Sequence, residues 1–153
     1  MDKKQELLEL ADCFIENEES LARLYEACIE FLPDHANVWT ALLAQEQHHA
    51  GMFRQIRRAI EETSSGWHPG KFFPQTLRLM TADLVSLTAE IRARKVNPRY
   101  VVQHMMDTEN SLIESELSKA FSTTDPVCTS LLGKLQEETQ NHRMMLRNVL
   151  TRI

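Results

Sequence analysis

The sequence predicts an all-α protein: a four-helix bundle of two helical hairpins joined by a long crossover that contains an additional helix. Three observations carry this. Of 153 residues only 4 are glycine and 2 are tyrosine, and no stretch alternates Val, Ile and Thr as a half-buried strand would. Apolar residues recur instead at helical spacing over four long segments. The densest cluster of turn-forming residues, Thr63-Ser64-Ser65-Gly66-Trp67-His68-Pro69-Gly70, falls between the second and third of them, where a crossover begins. With 42% hydrophobic residues the chain is long enough to bury one core, so residues 1–153 are read as a single domain.

The first helix runs from Leu7 to Leu32 through Phe14, Leu21, Tyr25 and Ile29, and Pro33 ends it because proline cannot continue a helix. Asp34 is the expected N-cap of the second helix, whose face carries Trp39, Leu42, Leu43, Ala50, Phe53, Ile56 and Ile60. After the turn-rich stretch, Pro74 opens the crossover helix through Leu77, Met80, Leu84, Leu87 and Ile91. It closes on Arg92, Arg94 and Lys95, a charge that suits a helix C-terminus. Asn97-Pro98 is an N-cap followed by proline in the first turn, and it opens a third bundle helix through Val102, Met105, Leu112, Leu117 and Phe121. Asp125-Pro126 repeats that signal for the fourth, through Leu131, Leu135, Met145, Val149 and Ile153.

Charge and composition exclude several function classes. The 22 acidic residues against 17 basic ones leave a net charge of −5, and phosphate neutralisation needs a basic face, so no nucleic-acid partner is expected. Arg54, Arg57, Arg58, Arg143 and Arg147 read as solvated helix surface. No window approaches the roughly 20 apolar residues of a membrane span, and Met1-Asp2-Lys3-Lys4-Gln5-Glu6 has no apolar signal core, so a cytoplasmic protein without a membrane partner is expected. Cys13, Cys28 and Cys128 form no C-x-x-C pair, which argues against a disulfide framework or a tetrathiolate site.

The informative residues are the polar ones that interrupt the apolar stripes, because a buried charge without a partner is costly. Glu18 lies four after Phe14 and three before Leu21, on the inward face of the first helix. Glu46-Gln47-His48-His49 places Glu46 and His49 on one face of the second. Glu109 lies between Met105 and Leu112, and His142 between Leu135 and Met145. Glu18 and His49 are 31 residues apart and Glu109 and His142 are 33 apart, a degenerate repeat of one carboxylate and one imidazole per hairpin. Carboxylates and imidazoles converging inside a helical bundle suit a pair of iron or manganese ions. The plainer alternative is a set of Glu–His pairs satisfying one another in a metal-free bundle that acts as a structural or interaction module.

At these residues the sequence resembles the rubrerythrin-like branch of the ferritin-like superfamily. The motifs are Glu18-Glu19-Ser20-Leu21-Ala22-Arg23-Leu24-Tyr25, Leu43-Ala44-Gln45-Glu46-Gln47-His48-His49-Ala50 and Glu109-Asn110-Ser111-Leu112-Ile113-Glu114, within a likeness spanning about Glu18 to His142. The resemblance implies a ferritin-like bundle holding two iron ions, or manganese in their place. Glu18 and Glu109 would be terminal ligands, Glu46 a bridge, and His49 and His142 the nitrogen ligands; Tyr25 would hydrogen-bond a ligand carboxylate or serve as a core aromatic. It further implies an oxidoreductase that reduces peroxide or dioxygen, takes electrons from a separate donor protein and forms a homodimer.

Two departures stand out. The last helix reads Glu137-Glu138-Thr139-Gln140-Asn141-His142, so threonine occupies the glutamate position of E-x-x-H, and the second bridge falls to Glu138, four residues before His142. Glu116, seven after Glu109, is a spare candidate placed at the rim. Without C-x-x-C pairs there is no rubredoxin-like module. His48 is expected at the surface, His35 and His104 have no matching partners, and Met105-Met106 and Met144-Met145 read as core filler.

Overall fold

The computed structural model describes residues 2–153, which form five α-helices: α1 (Lys3–Phe31), α2 (Ala36–Glu62), α3 (Pro74–Arg92), α4 (Pro98–Glu114) and α5 (Pro126–Leu150). Two-residue strands β1 (His68–Pro69) and β2 (Phe121–Ser122) pair antiparallel. The molecule is a helical bundle, and pairwise contacts give the direction of each helix. Asp12–Arg57 and Glu19–Arg54 contacts run α1 and α2 antiparallel. Glu9–Arg78 and Asn17–Thr81 contacts set α3 parallel to α1. Asn110–Arg143 and Ile113–Gln136 contacts pair α4 antiparallel to α5. The crossover helix thus carries the chain back along α1, so that α4 starts from the same end of the bundle as α2.

Local signals explain most helix boundaries. Asn97 accepts a hydrogen bond from the Arg99 N–H, and Asp125 accepts from Val127 and Cys128, each just before a proline in the first turn. α3 stops in a Schellman arrangement: Arg94 takes the left-handed conformation, φ 55°, while its N–H reaches the Ile91 carbonyl and that of Lys95 the Glu90 carbonyl.

Two boundaries differ from expectation. Asp34 does not cap the second helix; it lies inside a 3₁₀ turn, Pro33–His35, and α2 begins at Ala36 after His35. The third bundle helix stops at Glu114 rather than Phe121, because Glu116 enters the left-handed region, φ 57°, and the chain continues through a 3₁₀ turn, Leu117–Lys119, into β2. The apolar residues beyond it, Leu117 and Phe121, keep their inward positions from a non-helical path, so periodicity alone hid the break. The turn-rich stretch is not free: Trp67 is buried with its ring 6.0 Å from Phe121, and the Gly70 N–H donates to the Ala120 carbonyl at 2.9 Å. A Cβ on Gly70 would lie 1.8 Å from the Lys119 carbonyl oxygen, so only glycine fits this approach. Met144, expected as filler, is largely exposed.

The core divides into two apolar clusters. One contains Leu7, Phe14, Phe53, Ile56, Leu112 and Leu135; the other Leu21, Tyr25, Trp39, Leu42, Met105 and Leu146. Between them along every bundle helix lies a buried polar layer: Glu18 on α1, Glu46 and His49 on α2, Glu109 on α4, Thr139 and His142 on α5.

Candidate metal centre

Each member of this layer sits where a heptad-like apolar stripe would place a Leu or Ile, so tertiary packing, not local preference, carries it inside. Glu46 is central. Its Oε1 lies 2.8 Å from His142 Nδ1 and its Oε2 3.6 Å from His49 Nδ1. Glu18 Oε2 approaches His49 Nδ1 at 3.8 Å, and Glu109 Oε1 approaches His142 Nδ1 at 3.6 Å. The imidazoles stack with centroids 5.0 Å apart and planes 20° from parallel. One donor atom from each of Glu46, His49 and His142 lies within 4.8 Å of the other two.

The outer edges of the rings are tied. His49 Nε2 is 3.2 Å from Glu138 Oε2, and His142 Nε2 is 2.5 Å from Gln45 Oε1. A ring that donates from Nε2 keeps Nδ1 for the interior, an orientation that outer partners impose on metal-binding histidines generally. The Tyr25 hydroxyl donates to Glu109 Oε1 at 3.0 Å, and its ring stacks on Trp39. Glu138 therefore stands apart from the convergent atoms: its side chain is one-third exposed, and it meets the nitrogen of His49 that points away from Glu46. Thr139, one turn before His142, occupies the inward position instead. Glu116 pairs with Lys119 and Lys71 at the surface. His48 is exposed, and His35 and His104 lie partly exposed outside the layer. Gln45 is the participant that sequence reasoning passed over; its only signal was a polar side chain beside Glu46.

The inner atoms are unsatisfied. Glu18 Oε2, both oxygens of Glu46, and Nδ1 of His49 and His142 are buried with no hydrogen-bond partner; even the 2.8 Å contact lies off a hydrogen-bond direction. Buried polar atoms are nearly always paired, so five orphans aimed into one place fit the donor set of a cation. Electrostatics agree. Burial, then the Glu46 charge, pushes Glu18 well above the usual carboxylate range, and Glu109 is raised for the same reasons. Burial opposes ionisation of Glu46 too, but Glu18, His142 and His49 outweigh it and hold its carboxyl well below the ordinary value. Burial would lower both imidazoles, yet Glu18 and Glu46 raise His49 to about 11, and Glu109 and Glu46 raise His142 to about 10. In the metal-free protein two protons therefore stand where an ion's charge would.

No protein-family model, curated protein or solved structure matches this chain. Among the described residues, no helix is long and apolar enough to cross a membrane.

Proposed function

We propose that the chain is a ferritin-like bundle of rubrerythrin type in which Glu18, Glu46, His49, Glu109 and His142 hold redox-active iron or manganese, and that it reduces hydrogen peroxide or dioxygen. The observation that carries the metal reading is the convergence of five buried donor atoms without hydrogen-bond partners. The oxidoreductase chemistry, the homodimer and the separate electron-donor protein rest on the sequence resemblance, as does the pair of ions.

When bound, the metal supplies one-electron redox chemistry and a Lewis-acidic position for the oxidant. The chain's own residues do the rest. His49 and His142 present Nδ1 inward because Glu138 and Gln45 hold their outer nitrogens. Tyr25 fixes Glu109 through its hydroxyl, and the two apolar clusters exclude water from the layer. Glu18 and Glu109 are raised carboxyls that hold protons, which reduction of the oxidant to water would consume.

A metal-free structural module is favoured by one feature, Thr139 in the place of a ligand glutamate. Against it stands the convergence of five buried donor atoms with no aligned hydrogen-bond partner. Anaerobic loading with Fe(II), followed by hydrogen peroxide and an artificial electron donor, separates the readings. Peroxide consumption that disappears in His49→Ala supports the proposal; a rate equal to that of free iron overturns it.

A further inference from the structure

The resemblance implies two ions, but the residues present complete only one position. We infer that the layer binds a single divalent ion tightly, on Glu46, His49 and His142, and that the second position lacks the carboxylate it would need. This deepens the metal-centre reading and rests on it.

The first argument is geometric. Glu46, His49 and His142 are the residues whose donor atoms all lie within 4.8 Å of one another, a two-histidine, one-carboxylate set that leaves positions open for water or a small oxidant. Glu18 and Glu109 flank it, each near one imidazole only, and Glu109 Oε1 already accepts the Tyr25 hydroxyl. A second ion would be joined to the first by Glu46 alone. The residue from which a second bridging carboxylate would reach inward is Thr139, buried and uncharged. Glu138 does not replace it, being turned to the outer edge of His49.

The second argument is charge. Glu18, Glu46 and Glu109 are the buried carboxylates of the layer. Against their three negative charges, two divalent ions would leave a net positive charge between two apolar clusters, where uncompensated charge is expensive. One ion leaves a single negative charge, and the Tyr25 hydroxyl already donates to Glu109 beside it.

The test is a titration of the metal-free 153-residue chain with Mn(II), in which electron paramagnetic resonance counts the free ion and reports whether bound ions are magnetically coupled. The expected result is one tightly bound, uncoupled ion per chain. The second should be weaker by more than the roughly 100-fold that losing an outer partner of a metal ligand costs. Thr139→Glu should take up a second ion and produce the coupled spectrum. Two ions of similar affinity, coupled in the unaltered protein, overturn this inference and leave the metal centre standing; no bound ion overturns both. Should Thr139→Glu not fold, the stoichiometry and coupling of the unaltered protein decide.

Discussion

At the residue scale the layer is a case of polar atoms held in place without partners. Tyr25 illustrates the contrast, because its hydroxyl is satisfied by Glu109 while Glu46 is satisfied by nothing aligned. Tyr25→Phe leaves the ring stacked on Trp39 but removes the donor, so a loss of about 1–3 kcal/mol is expected in urea unfolding of the metal-free protein. An unchanged midpoint would mean that the hydroxyl does not hold Glu109. Glu46→Gln keeps the shape and removes the charge that both imidazoles face. It should abolish tight metal uptake while Glu138→Gln, acting on the outer edge of His49, weakens it by roughly 10–100-fold. Equal effects from the two variants would contradict the roles assigned to them.

At the element scale α2 and α5 meet through the two imidazoles, and this contact makes stability depend on pH with a definite sign. His49 and His142 have ordinary values near 6.5 and are raised to about 11 and about 10 in the fold. A raised value means that the folded state holds the proton more tightly. The stability contributed is therefore fully present below about pH 6.5 and is lost as pH rises through about 10 and 11. The unfolding midpoint of the metal-free protein should fall between pH 7 and 11, with a shallower slope in His142→Gln; equal slopes in the two proteins would contradict the assignment. Metal must displace the Nδ1 protons, so loading at pH 7 in weak buffer should acidify the solution, and no proton release would count against ligation by these nitrogens. The other contact of interest joins the crossover stretch to the segment before α5. Gly70→Ala drives a methyl group into the Lys119 carbonyl and should cost about 1–3 kcal/mol or more by overpacking, without changing metal stoichiometry. Because β1 and β2 lie beside the Phe14 cluster and not in the polar layer, changed stoichiometry would show that the strand pair and the site are coupled.

Across the whole molecule, the helices, their order and the inward positions of Glu18, Glu46, His49, Glu109 and His142 were legible in the sequence. Each lies at helical spacing from large apolar residues, and that periodicity survives folding. What the sequence concealed depends on contacts between distant segments. The break after Glu114 was invisible because Leu117 and Phe121 stay buried along a different path. The pairing of His68–Pro69 with Phe121–Ser122 joins residues more than fifty apart, with no pattern in either. Glu138 and Thr139 show the limit of spacing arguments. Positions three and four before His142 both share its face in outline, and only the packed layer decides that threonine points in and glutamate toward the rim. Gln45 was missed for the same reason, since its partner lies on another hairpin.

The central claim is that the polar layer between the two apolar clusters exists to hold a metal ion, and the most direct measurement is anaerobic equilibrium dialysis against Fe(II) followed by elemental analysis. The unaltered protein should retain iron and unfold at a higher temperature than its metal-free form, and Glu46→Ala should retain none. Retention of no iron by the unaltered protein, or equal retention by the variant, would contradict it.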